Sequence, residues 1–190
     1  MKVEIRPLTN GHSNDAERVF ASSPESAGCF CMWFIIPVAQ YHAGGRAANR
    51  QLFLDLVNDS AAPVGLVAYV DGEPVGWCAA GPRSRFGRAV KVPSFKGRDP
   101  SEDDSVWMVP CFNIRRDHRR KGVSQALLNA AIQLARQQGA KAIEGFPFAR
   151  GAKVGRESMV GVEATFEAAG FVVTRHPSAT RVVMRKELGR

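Results

Sequence analysis

Arg115-Arg116-Asp117-His118-Arg119-Arg120-Lys121-Gly122-Val123-Ser124 sets five Arg and Lys side chains in front of one glycine, then runs directly into an apolar-periodic segment. The first turn of a helix leaves N–H groups unpaired and carries partial positive charge, so it attracts anions. Gly122 lets a phosphate approach the backbone without meeting a Cβ. Ser124 keeps the approach unobstructed, and Arg119 and Lys121 add long-range charge. The chemistry these residues suit is the binding of a pyrophosphate. Neither G-x-x-x-x-G-K-[ST] nor G-x-G-x-x-G is present, so the signatures of nucleotide triphosphate loops and dinucleotide folds are absent. On residue types alone, a solvated basic loop stays open as the alternative.

A second group is Cys29-Phe30-Cys31 with Trp33 and Phe34 beside it. Zinc takes four ligands, commonly with two to four residues between paired cysteines, and no Cys/His cluster follows at such a spacing. The expectation is therefore no metal, with the thiols acting as small buried hydrophobes. Cys31, Trp33 and Phe34 are candidates for an apolar substrate wall, or simply for core.

The elements that must position these residues follow from periodicity. Val3–Leu8 alternates like a strand, and Ser13 or Asn14 can cap a brief helix over Asp15–Phe20. Ala47–Val57 shows a helical face through Leu52, Leu56 and Val57. Val64–Val70 and Pro74–Ala80, joined through Asp71-Gly72, read as a hairpin. Pro82–Ser105 is rich in Gly, Pro, Ser and Arg without period, and reads as a long mobile flap. Val106–Ile114 is a strand, and Gly122–Gln138 a helix with Val123, Leu127, Ala131 and Leu134 on one face, closed by Gly139. Ala142–Phe148 is a strand, Met159–Ala169 a helix stopped by Gly170, and Phe171–Thr174 and Arg181–Met184 are closing strands.

The chain has 190 residues, of which 45% are apolar, and a net charge of +8. That length predicts one domain over 1–190, and the charge favours anionic partners. The longest apolar run, Cys29–Val38, is broken by Pro37 and too short to span a bilayer, so no membrane partner is expected. The amino terminus enters a strand pattern directly and shows no signal peptide. Four cysteines are too sparse for a disulfide scaffold, which points to reduced thiols and a cytoplasmic location. The basic run is too local for a nucleic-acid face, so no nucleic-acid partner is expected.

Arg119-Arg120-Lys121-Gly122-Val123-Ser124, between a strand and an amphipathic helix and followed by Gly170-Phe171, resembles the Q/R-x-x-G-x-G/A signature of the GNAT superfamily of N-acetyltransferases. The resemblance covers Val64 to Met184, with Ser124 in place of the usual Gly or Ala. Cys29-Phe30-Cys31-Met32-Trp33-Phe34, Val75-Gly76-Trp77-Cys78 and Val106–Phe112 are similar to segments of a bacterial group carrying C-x-C-M-W. The resemblance implies an α/β fold with a mixed, mostly antiparallel sheet flanked by helices and splayed around the cofactor strand. It implies acetyl-CoA as co-substrate, an amine acceptor on a small molecule or protein, and a possible homodimer. A sensor that binds acyl-CoA without turnover is the alternative.

Carried over residue by residue, the resemblance places the pantetheine arm on backbone groups of Phe112, Asn113 and Ile114. The pyrophosphate falls on Arg119, Arg120, Lys121, Gly122, Val123 and Ser124, with His118 a charged neighbour. Acyl transfer also requires a deprotonated amine and a proton for the leaving thiolate. Phe166 occupies the place of the family's tyrosine acid, and Val106–Ile114 contains no carboxylate. Glu144 on the next strand is the candidate base, against a purely structural role. Asp103 and Asp104 are candidates for holding the acceptor amine, against a solvated acidic turn.

Overall fold

A computed structural model describes residues 2–24, 26–154 and 159–189. In chain order the elements are β1 (Glu4–Pro7), α1 (Ser13–Phe20), α2 (Val38–Asp59), β2 (Gly65–Val70), β3 (Glu73–Pro82) and β4 (Val106–Ile114). They continue with α3 (Val123–Gln137), β5 (Ala142–Gly145), α4 (Glu163–Ala168), β6 (Val172–Ser178) and β7 (Arg181–Glu187). The strands form one sheet in the order β1-β2-β3-β4-β5-β7-β6. Only β4 and β5 run parallel; the other neighbours are antiparallel. This is the mixed, mostly antiparallel α/β architecture expected.

Local chemistry explains the elements that were legible. Asp71 and Gly72 have φ of 51° and 80°, the left-handed pair that a two-residue hairpin turn requires. In α3 the residues Val123, Leu127, Ala131 and Leu134 are all buried, and Gly139, with φ of 75°, ends the helix. The sheet is covered on both faces, as a layered domain requires. Phe20, Phe53, Trp77 and Met108 belong to one apolar cluster, and Leu127, Ala131, Phe166 and Met184 to the other.

Three expectations are corrected. The helix predicted from Ala47 begins at Val38 and bends at Gly45 (φ 59°, ψ −164°). Its first turns are mostly exposed, so no apolar stripe marked them. The helix predicted from Met159 begins only at Glu163; Met159 to Val162 instead lie against the sheet, with Val162 bridged to Phe148. Residues 155–158 lie outside the described residues. The connection after β3 is no bare flap: it coils through short 3₁₀ turns and buries Phe86, Val90 and Phe95.

The feature that creates the site is the parting of β4 from β5. They pair over only three positions, Val106↔Ala142, Trp107↔Ile143 and Met108↔Glu144. Immediately beyond, Ala79 faces Cys111 and Gly81 faces Met108, so Val109 and Pro110 together oppose Ala80. An extra residue in one strand bends it. Proline, which has no N–H for a ladder, is tolerated in a sheet at such a bulge. β4 therefore turns away from β5 and a cleft opens between them.

Candidate active site

Two cavities flank the region where the strands part. The larger, about 660 Å³, is lined by residues that include Asn113, Arg119, Arg120, Val123 and Ser124, together with Met159 and Gly161. The smaller, about 270 Å³, is lined by Trp33, Phe34, Arg88, Phe146 and Arg181, together with Val160. Met159-Val160-Gly161 thus contributes alternately to both. Its backbone spans the opening: the Phe112 N–H donates to the Met159 carbonyl, and the Phe148 N–H donates to the Gly161 carbonyl at 3.1 Å.

The basic turn has the backbone geometry of an anion cradle. Gly122 is the residue before α3 with φ of 81°, and no side chain caps the helix. The first bond of the helix runs from the Ala126 N–H to the Gly122 carbonyl, so the preceding turn presents amides outward. Arg120 is also left-handed, with φ of 58°. An arginine in that region costs of order 1 kcal/mol, and such strain concentrates at binding sites. A Cβ built on Gly122 would meet nothing within 4 Å, so the space over the helix start is open. Arg119 Nε donates to the Ile114 carbonyl at 3.0 Å and ties the turn to the end of β4. His118 sits 3.0 Å from Asp117, whose carboxyl is held below its usual range by His118 and Arg115.

The expected cofactor residues are brought together, with two differences. Phe112, Asn113, Ile114, Arg119, Arg120, Val123 and Ser124 all line the large cavity, whereas Lys121 and Gly122 are exposed and do not. The backbone of the strand end is also partly committed: the Phe112 amide to Met159 and the Ile114 carbonyl to Arg119. Asn113 is 2% exposed, and neither its side-chain oxygen nor its nitrogen has a partner among the described residues. Leaving a buried amide unpaired is costly, so this side chain has hydrogen-bonding capacity that the described residues do not fill.

Of the candidate substrate wall, Trp33 and Phe34 line the small cavity and Cys31 does not. Cys31 is buried and accepts a hydrogen bond from Trp77 Nε1 at 3.0 Å. Its hydrogen bond and burial raise the Cys111 thiol well above the ordinary range, and burial does the same for Cys78. Cys31, Cys78 and Cys111 are all buried and belong to the core. Among the described residues no group of three His, Cys, Asp or Glu side chains is placed to hold a metal ion.

Glu144 does not line either cavity. It is buried with Oε2 3.2 Å from Arg83 and Oε1 3.1 Å from Arg185. Each oxygen is ion-paired to a guanidinium group and the side chain lies outside both cavities, so it is not within reach of an acceptor bound in either, as a base must be. Asp103 is likewise committed, at 3.0 Å from Arg83 and 2.8 Å from Arg98, while Asp104 is exposed. Among the residues lining the small cavity, no sequence pattern marked Phe146 or Arg181, whereas Arg88 lies in the arginine-rich connection 82–105.

Phe166 is fully buried and wedged against two glycines. A Cβ built on Gly145 would lie 2.6 Å from its Cζ, and one on Gly161 3.1 Å from its Cε2. A hydroxyl at Cζ would point toward Gly145 and the floor of the sheet. We therefore expect Phe166→Tyr to cost about 1–3 kcal/mol through overpacking, without raising turnover. Thermal melts and thiol-release rates on the same sample check both parts.

The chain matches the acetyltransferase (GNAT) family over residues 32–150, more than half its length, and belongs to that family. It is an enzyme of the N-acetyltransferase class. A comparison with curated proteins returns no match. Among solved structures, Ard1 from Thermoplasma volcanium is similar at 17% identity and a TM-score of 0.55, with all of both chains covered. PaiA N-acetyltransferase from Thermoplasma acidophilum, in complex with coenzyme A, is similar at 14% and 0.53, covering 98% of this chain and 99% of that one. The ribosomal-protein-S18-alanine N-acetyltransferase from Escherichia coli is similar at 11% and 0.53, covering 100% and 96%. At these identities the likeness is one of fold. No helix among the described residues is long and apolar enough to cross a membrane.

Proposed function

We propose that this chain transfers an acetyl group from acetyl-CoA to an amine, with the basic cavity holding the cofactor and the aromatic cavity the acceptor. The observation that carries the reading is the pair of cavities on either side of one backbone segment, Met159-Val160-Gly161, where β4 and β5 part. Acetyl-CoA supplies an activated thioester carbonyl. Arg119, Arg120 and the amides of Val123 and Ser124 hold its pyrophosphate, and the unpartnered Asn113 amide pairs with an amide of the pantetheine arm. The amine nitrogen forms the new C–N bond as the C–S bond breaks, with the electron pair leaving on sulfur. No Asp or Glu among the described residues lines either cavity, so the proton lost from nitrogen and the one gained by sulfur pass through water. The kcat/KM profile is then expected to rise with pH along the titration of the acceptor amine itself.

The proposed setting is a single domain of the bacterial cytoplasm, in a group carrying the C-x-C-M-W segment. The missing carboxylate favours one second reading, a sensor that holds acyl-CoA without turnover. Calorimetry with acetyl-CoA, together with thiol release against an amine panel, separates the two. We expect Asn113→Leu to bind acetyl-CoA about 10-fold more weakly while its melting temperature stays level or rises, since an unpaired buried amide has been removed. Unchanged affinity in this variant would take Asn113 out of the cofactor site. Tight binding with no thiol release on any amine would leave the sensor reading.

A further inference from the structure

Several buried and half-buried arginines come with their counterions, while Arg85 is satisfied by the Pro63 and Ala80 carbonyls. Arg83 faces Glu144, Asp103 and Glu102; Arg185 faces Glu144 and Glu102; Arg98 holds Asp103. The aromatic cavity gathers two arginines without a counterion. Arg88 and Arg181 both line it, both are half-buried, and neither has a carboxylate within 4.0 Å among the described residues. Desolvation alone lowers the Arg181 pKa, as expected of a cation withdrawn from water without a compensating anion.

Both guanidinium groups are held in fixed planes. The Arg88 group stacks 3.5 Å from the centre of the Trp33 ring and donates from Nη1 to the Trp33 carbonyl at 2.6 Å. The Arg181 group stacks 3.7 Å from the centre of the Phe148 ring and donates from Nη1 to the Phe146 carbonyl at 3.2 Å. A guanidinium has five N–H donors, so each retains an edge able to take a carboxylate. Stacking on an aromatic face fixes that edge in advance and reduces the entropy lost on binding. The remaining walls are mainly apolar: the rings of Trp33, Phe34 and Phe146 with Ala89, Val92 and Val160, and the single hydroxyl of Ser94. The volume of about 270 Å³ lies just below the range of roughly 300–1,000 Å³ for drug-sized ligands, which suits one small molecule.

Building on the acetyl-transfer reading, we infer that the acceptor is a small amine bearing a carboxylate, an α-amino acid with an aromatic or large apolar side chain. Arg88 and Arg181 take the carboxylate, and Trp33, Phe34 and Phe146 take the side chain. The same two cations disfavour an ammonium beside them and so lower the acceptor's pKa. This supports loss of the amine proton to water in a site with no carboxylate base.

The test pairs each of several aromatic and large aliphatic amino acids with its decarboxylated amine, for example phenylalanine with phenethylamine. Thiol release from acetyl-CoA and calorimetric binding to coenzyme-A-loaded protein are both measured. The expected result is a kcat/KM for the amino acid about 10- to 100-fold above its partner, the worth of one charge-assisted contact or more. In Arg88→Met and Arg181→Met that ratio falls toward one through a raised KM for the acid, and Arg181→Lys recovers part of it. The KM for acetyl-CoA reports on the cofactor site in each variant. Decarboxylated amines turned over as well as the acids would overturn the inference and leave acetyl transfer standing. So would tight acetyl-CoA binding with no amino acid bound or acetylated. Failure to bind acetyl-CoA at all would remove both.

Discussion

Gly122→Asp is expected to weaken acetyl-CoA binding by at least about 10²-fold while the protein stays folded. The new carboxylate would stand at the start of α3, where the unpaired amides and Arg120 are placed to receive a pyrophosphate. Like charges a few ångströms apart near a protein surface repel by several kcal/mol, and each 1.4 kcal/mol is a factor of ten in affinity. The fold has reason to tolerate the change. The built Cβ meets nothing within 4 Å, aspartate enters the left-handed region more readily than most residues, and α3 has no capping side chain until Asp supplies one. Gly122→Ala is the control, since it introduces the Cβ without the charge and is expected to cost only about tenfold. Calorimetry on both variants, with a melt recorded alongside, reads the result. Wild-type affinity in the folded Asp variant would show that the pyrophosphate does not lie on this helix start.

Glu144→Gln is expected to be a stability variant and not a catalytic one. Glu144 joins β5 to β7 through Arg185 and to the connection after β3 through Arg83. Arg83 in turn holds Asp103 and Glu102. Removing one charge from a buried ion-pair network leaves uncompensated cations and costs about 3–5 kcal/mol. The amide retains some hydrogen bonding, so the lower end applies, with a fall in melting temperature of roughly 6–12 °C for a domain of this size. Urea denaturation gives the free energy directly. Below the melt, the turnover per folded molecule should stay within a few-fold of the parent. Loss of turnover by 10² or more with stability intact would restore Glu144 to the role of base.

The residues of this chain determine by themselves whatever depends on near neighbours. The turn at Asp71-Gly72, the apolar face of α3, the glycine that ends it, and the strand–basic turn–helix order around Gly122 are written in short-range steric and hydrogen-bonding preferences. They sufficed for the individual elements and for the basic turn proposed to hold the cofactor, while the sheet class followed from the resemblance to the GNAT signature. The small cavity, proposed for the acceptor, was decided elsewhere. Trp33, Arg88, Phe146 and Arg181 come from four separate stretches and meet only in the folded chain, at the small cavity beside the parting of β4 and β5. The same holds for Glu144, whose partners lie 61 residues before it and 41 after it. Whether a carboxylate serves as a base or as a counterion depends on which guanidinium groups the fold delivers to it. Long-range electrostatics and packing set that delivery, and no local pattern encodes it.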